Sequence, residues 1–388
     1  MVGTGAGEDL SDSGTFFHIG ANSLSVPRSG MEVKRSIDGG SIHDWQLVSK
    51  VLTHAMERLG VDVKETPLLL SEPSFNSSAQ RERATQMLFE EFEAPALFLS
   101  KSAVLTSFAH GRPTSLVLES GASYSAAVPV HDGYVLSKAI IKHQLAGDEL
   151  TRIFEHVIRN ELNNALRPIY SISKKSLPNG DFSVQDKQLA GITNSFSQYH
   201  INQLVQDVKE STTRVLENEL DLDTYTVPLG TEPTPPALSY TFPDNSTITP
   251  NLWRHRLPEI MFNPEVCIPK SYSGYQTLSQ LPPVHTMLYK SASLCDTDLK
   301  KDLFQNLIFA GGNTLFPGFI ERTSSELSSL VGAQVKLKNQ SLPTPSDRKF
   351  ASFIGGSILA SLGTFHQMWM SRQEYDEYGA GLVARKCP

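Results

Sequence analysis

What most restricts the fold of this chain is a run of short apolar segments alternating with helical ones between residues 67 and 119. "PLLLS" (67–71), "PALFLS" (95–100) and "SLVLE" (115–119) read as short buried strands, and residues 78–92 and 102–111 between them read as helices. The order β-α-β-α-β points to an α/β fold with some parallel pairing. Upstream, Asp44 caps a helix whose Trp45, Val48, Val51, Leu52, Ala55, Met56 and Leu59 share one face, and Gly60 stops it. With 388 residues and 39% hydrophobic content, the chain can bury a sizeable core in two or three lobes. Its net charge of −7 argues against a simple basic nucleic-acid-binding domain.

Three cysteines, Cys267, Cys295 and Cys387, stand far apart with no CxxC pair, so neither a disulfide framework nor a zinc site is expected, and a reducing compartment fits. The start has no basic and apolar leader, and no apolar run approaches a membrane span, so a soluble intracellular protein is expected. The first 15 residues, rich in Gly, Ser and Asp, read as mobile. Residues 146–193 show no clear pattern. Residues 197–220 read as an amphipathic helix, with Ile201, Leu204, Val205, Val208, Val215 and Leu216 on one side. Residues 224–250, rich in Pro and Thr, read as loops and edge strands. The chain then returns to strand, Gly-Gly turn and helix in "NLIFAGGNTLFPGFIERTSSELSSLV". It ends on "FIGGSILASLGTFHQMW", read as a helix begun by a Gly-Gly pair.

Two stretches invite a ligand. "SLVLESGASYSAAVPV" (115–130) is a strand, a turn of small residues and a second strand. Such a turn can offer successive backbone N–H groups to a polyphosphate, and Glu119, entering it, could hold a hydrated Mg²⁺. "AGGNT" (310–314) lets backbone approach a flat ligand closely, or is only a tight connection. The small residues of "FIGGSILASLG" imply a very close neighbour. The other face of that segment, with Leu359, Leu362 and Met368, is either core or a docking groove. His110, His131 and His143 lack metal-ligand spacing. There is no G-x-S-x-G elbow and no P-loop, so nucleophilic catalysis and a structural metal are not expected.

"IFAGGNTLFPGFIERTSSEL", "DRKFASFIGGSILASLGTFHQMWMSRQEYDEYG" and the terminal "RKCP" resemble the C-terminal half of actin and its relatives. Residues 67–112 resemble the corresponding front half. "VPVHDGYVLSKAIIKHQLAGDEL" looks like the nuclear actin-related branch, whose members are subunits of chromatin-remodelling and histone acetyltransferase assemblies. The resemblance implies a two-lobed α/β, actin-like (ribonuclease H-like) fold around a nucleotide cleft. Residues 1–44 would be a mobile start and outer-subdomain remnant, 45–109 with 351–388 the first lobe core, 110–145 with 280–350 the second, and 146–279 its smaller outer subdomain.

By the same resemblance Glu119 stands where the family has a Mg²⁺-orienting Asp, Ala122 where it has a second acid, Ala126 where a His positions the attacking water, and Ser102 where it has an amide. Ser120, Gly121, Ala122, Gly311, Gly312, Asn313, Phe316 and Lys349 fall at nucleotide-binding positions. "FFHIGAN" imitates the family's first phosphate loop with His18 in place of the acid, but its context resembles the outer subdomain, so that first hairpin is expected to be lacking. The function implied is a non-catalytic nuclear subunit that holds ATP, if at all, without hydrolysis. It would bind actin, other remodelling or acetyltransferase subunits, and a helical segment of a remodelling ATPase gripped at Phe108, Leu359, Leu362 and Met368. Neither sequence-specific nucleic-acid binding nor membrane association is implied. The rivals are a weak ATPase and a cytoskeletal filament former.

Overall fold

The computed structural model describes residues 2–6, 15–176, 182–187, 189–220, 238–332 and 335–388. The expectations for residues 7–14 and for 224–237 lie outside them. The described part of the start forms a strand. Strand β1 (Val2–Ala6) lies between β2 (Thr15–Ile19) and β3 (Glu32–Lys34) in an antiparallel sheet. A ladder is built from backbone N–H and C=O groups, so a glycine-rich segment can join one.

Helix α1 (Trp45–Leu59) has the expected ends: the Asp44 carboxylate accepts from Leu47 N at 3.0 Å, and Gly60 is left-handed at φ 65°. Strands β4 (Leu68–Glu72) and β5 (Ala96–Lys101) are parallel, paired from Leu68↔Leu97 to Glu72↔Lys101. Between them α2 (Ser78–Gln86) widens into a π-helical turn over Met87–Glu91. The pair Met370–Ser371 adds an antiparallel strand to β5, and β4 is the opposite edge.

The third apolar run leaves this sheet. Helix α3 (Ser102–Ala109), with Ser102–Ser107 all buried, carries the chain between layers. Strand β6 (Ser115–Ser120) then joins a second, six-stranded sheet. There it runs antiparallel to β7 (Ser125–His131) and parallel to β8 (Leu307–Ala310). An apolar cluster of Ala103, Val104, Val117, Ala126, Val128 and Ile308 cements α3 to that sheet.

The stretch without a pattern contains α4 (Gly147–Asn160), which buries Leu150, Ile153, Phe154, Val157 and Ile158. Helix α5 (Asn194–Thr212) starts earlier and ends well before residue 220, a correction to the expected span. At Thr213 the backbone turns extended, and Arg214 N and Val215 N donate instead to Arg254 O (3.0 Å) and Pro317 O (2.9 Å). Val215 is therefore buried from a loop rather than from a helix face.

Helix α6 (Phe319–Val331) carries Arg322, which grips Glu259 through two bonds of 2.9 and 3.1 Å, both side chains buried. Helix α7 (Ala351–Ser361) begins before the Gly-Gly pair, which lies mid-helix, another correction. A Cβ on Gly355 would stand 1.7 Å from the Leu105 carbonyl oxygen, so α7 packs backbone to backbone on α3 only because that residue is glycine.

The N-terminal sheet docks on the start of α5. Thr193 Oγ1 donates to Met31 O (2.6 Å), Val33 N to Ser195 Oγ (3.0 Å), Gly30 N to Gly191 O (2.8 Å) and His200 Nε2 to Leu24 O (3.0 Å). Arg35 reaches further and pairs with Asp148 at 2.5 Å.

Candidate functional site

Three segments converge beside Asp148. The β6–β7 hairpin closes with Gly121 N donating to Tyr124 O (3.1 Å). The head of α4 hangs from the same turn, with Gly147 N donating to Gly121 O (3.0 Å) and Asp148 N to Ala122 O (2.7 Å). The Gly311–Gly312 turn lies against the hairpin. Gly311 is at φ 95°, and a Cβ there would meet Ser120 O at 2.3 Å, so only glycine brings the two backbones together. Asn313 Nδ2 donates to Ser120 Oγ (3.2 Å), which pairs with Ser125 Oγ (2.8 Å).

Between these segments lies a cavity of about 490 Å³, within the ~300–1,000 Å³ of small-molecule sites. Gly121, Ala122, Gly311, Gly312, Asn313, Phe316 and Lys349 all line it. A narrower recess of about 150 Å³ adjoins it, sharing Gly121, Ala122, Gly311 and Lys349 and adding Ser102, Glu119, Ser120 and Tyr124. Every residue expected at a nucleotide position thus falls on one of two connected walls.

Sequence reasoning missed the other side: Gly147, Asp148 and Thr151 from α4, Gln206, Lys209 and Glu210 from α5, and Phe350 at the mouth. One signal was available. Lys209 follows Val205 by four residues on the apolar face of α5, where a lysine needs a partner to be buried. It is 4% exposed, and its ammonium donates to Gly147 O (2.8 Å) and Thr151 Oγ1 (2.9 Å). Burial lowers its pKa to about 8, opposed by the nearby Glu210 and Asp148.

The recess has a different character. Glu119 is buried and accepts from Ser102 Oγ at 2.9 Å. Desolvation lifts its pKa to about 7, with the Ser102 bond acting against the rise; among the described residues no ion pair offsets it. Tyr124 stands beside it, packed edge-on against Phe75 at 4.9 Å. Burial first, and the Glu119 charge second, keep its phenol protonated. Across the ladder from Glu119, Ala126 belongs to the dry cluster beneath the sheet and not to the recess wall. Among the described residues no group of three or more His, Cys, Asp and Glu side chains could hold a metal ion.

The residues expected to grip a helical segment lie outside both cavities. Phe108, Leu362 and Met368 are 37–43% exposed, whereas Leu359 is buried at 9% and packs in the core that also holds Leu105 and Phe365. Among the described residues no helix is long and apolar enough to cross a membrane.

Comparison with known proteins follows this geometry. The family described as Actin matches residues 1–388. A protein of Arabidopsis thaliana named actin-related protein 4 is 36% identical over 376 residues, covering 96% of this chain and 83% of that protein. Its namesake in Oryza sativa subsp. japonica is 36% identical, covering 94% and 81% respectively. One of the same name in Mycosarcoma maydis is 31% identical, covering 95% of this chain and 75% of its own.

Proposed function

Because the chain belongs to the actin family, we propose that it is a non-catalytic actin-related subunit of nuclear chromatin-remodelling and histone acetyltransferase assemblies, binding actin and a helical segment of the remodelling ATPase. The relatives named actin-related protein 4 support the branch. The observation that carries the loss of catalysis is the state of the recess. Phosphoryl transfer to water needs a clamped, metal-bound terminal phosphate and an oriented nucleophile. Here the acid is a longer, half-neutralised Glu119 shut against Ser102, and the position across the ladder is an alanine sealed in core. Mg²⁺ tolerates little departure from octahedral geometry, so these residues do not fit a metal–triphosphate.

The separate N-terminal sheet supports reading "FFHIGAN" as outer subdomain rather than phosphate loop: β2 pairs with β1, and β4 has β5 as its strand neighbour. The exposed Phe108, Leu362 and Met368 suit the apolar face of an amphipathic helix.

Two measurements test the reading. Purified chain is expected to release no phosphate from ATP above background; turnover that depends on Glu119 overturns the non-catalytic assignment. Capture of the ATPase's helical segment is expected to fall at least tenfold in Leu362→Asp. That residue, being exposed, is a better probe than Leu359, whose substitution would damage the core.

A further inference from the structure

The connection from the edge of the six-stranded sheet to α7 carries an exposed hydroxyl that lines neither cavity. We propose that Thr344 is a phosphorylation site, modified by a protein kinase that accepts proline after the acceptor residue, and that its phosphate locks the short helix Pro345–Lys349 in place through Arg348.

The segment is built for access. Strand Asn339–Gln340 pairs in parallel with β8, and the chain then runs through Ser341, Leu342, Pro343 and Thr344 into the five-residue helix Pro345–Lys349. Pro343, Thr344 and Pro345 are all exposed, and the Thr344 backbone is extended at φ −115° and ψ 154°. Phosphoryl transfer sets the acceptor oxygen in line with the bond that breaks in ATP, a position that an exposed residue on extended chain can reach and one inside a helix cannot. Pro345 opens the helix and has no N–H to lose, and one turn of helix is too short to resist unwinding while the segment sits in another protein's site. Of the three hydroxyls here, Ser341, Thr344 and Ser346, Thr344 alone is followed by proline. In the step itself Thr344 Oγ1 bonds to the γ-phosphorus of ATP, the bond from that phosphorus to the bridging oxygen breaks, ADP leaves, and the hydroxyl proton passes to the kinase's base.

The consequence lies in Arg348. Thr344 Oγ1 already caps the helix by accepting from Asp347 N at 3.1 Å. Arg348 follows Thr344 by four residues, one helical turn along the same side. Its Nη1 donates to Thr314 O (2.9 Å) and its O accepts from Gly311 N (3.3 Å), so this residue ties the helix to the Gly-Gly turn. Its Nε is buried and, among the described residues, has no acceptor.

A phosphothreonine brings a charge of about −1.5 to −2 near pH 7 and three strong acceptor oxygens. A guanidinium presents several donors in a fixed fork, so it can give Nε–H to the phosphate while Nη1 keeps Thr314. Asp347, in the first turn, repels the phosphate, and Arg348 and Lys349, in the last turn, outweigh it. Lys349 lines both cavities, so holding this helix still also fixes the cationic wall that they share.

Incubation of the folded full chain with ATP and a proline-directed kinase of the MAP-kinase class tests the site, read by intact mass and fragment mapping. A single phosphoryl group on Thr344, absent from Thr344→Ala, is expected. Labelling at Ser341 or Ser346 instead, or no labelling of the folded chain, overturns the assignment. Two further readouts test the lock. Phosphorylation is expected to slow hydrogen exchange over residues 311–316 and 345–350 about threefold or more. The second pKa of the phosphate, followed by phosphorus NMR, is expected to fall below its usual value of about 6. Arg348→Lys, which keeps the charge but not the fork, is expected to take up phosphate equally and lose the slowing. Exchange that is unchanged or faster, a second pKa at its usual value, or slowing that survives in Arg348→Lys overturns the lock. These outcomes are independent of ATP turnover and of partner capture by the chain, so they can fail while the proposed subunit role stands.

Discussion

Glu119 sets the chemistry of the recess, and its cost is measurable. A carboxyl whose folded-state pKa is raised above its unfolded value of 4.5 to about 7 binds its proton more tightly in the folded chain. The stability it contributes is therefore full below pH 4.5 and is lost as pH rises through 7. Glu119→Gln removes that dependence. In chemical denaturation the variant is expected to gain on the parent between pH 4.5 and 7, by about 3 kcal/mol at the upper end, since each tenfold change in proton affinity is worth ~1.36 kcal/mol. A constant difference across that range would mean the carboxyl is not buried as described. Which residues would line the cavity was readable where backbone chemistry demands it, as at Gly311, and unreadable where a side chain arrives from a distant helix. Nothing in the local sequence of α5 says that Lys209 and Glu210 will face the Gly-Gly turn about a hundred residues later.

At the scale of elements, the close pairing of α3 with α7 depends on one missing methyl group. Gly355→Ala places a carbon 1.7 Å from the Leu105 carbonyl oxygen, and neither backbone can yield without moving a helix. The expected outcome is loss of several kcal/mol, seen as a large fall in Tm or as insoluble protein. Gly356→Ala is the contrast. Its Cβ would meet the tip of Leu69 at 3.3 Å, a flexible end, and alanine adds about 1 kcal/mol of helix propensity, so its Tm is expected to stay near that of the parent. The capped helix α1 and the apolar strands β4, β5, β6 and β8 were legible because their signals are local. Helix α4 was legible in principle, since Leu150, Ile153, Phe154 and Val157 recur at helical spacing, but its polar surroundings masked the period. The end of α5 was not, because Val215 and Leu216 keep the apolar pattern of a helix while the amides of Arg214 and Val215 pair with other segments.

For the molecule as a whole, the docking of the N-terminal sheet onto α5 ties the start of the chain to the helix that walls the cavity. The contact is mostly hydrogen bonds to backbone plus one partly exposed ion pair, Arg35–Asp148, and Asp148 also lines the cavity. A partly exposed pair of this kind contributes roughly 0.2–1 kcal/mol. Arg35→Ala is therefore expected to leave the global Tm within about a degree or two of the parent while speeding hydrogen exchange at residues 30–35 and 193–200. Unchanged exchange there would show that the pair does not hold the two parts together. That β5 and β6 belong to different sheets joined by α3 could not be read from the sequence, because the alternation of strands and helices runs on without a break where the layers change.

The three thiols give the molecule its own reporters of opening. Cys387 packs beside Arg81 and β5, with its sulfur accepting from Leu99 N, whereas Cys267 and Cys295 sit in the separate core around α4 and α5. All three are buried, and desolvation raises each pKa, that of Cys267 to about 12, so an alkylating reagent meets almost no thiolate in the closed chain. Mapping which cysteine is labelled first under mild denaturant would therefore reveal, with no engineered probe, which half of the chain loosens first.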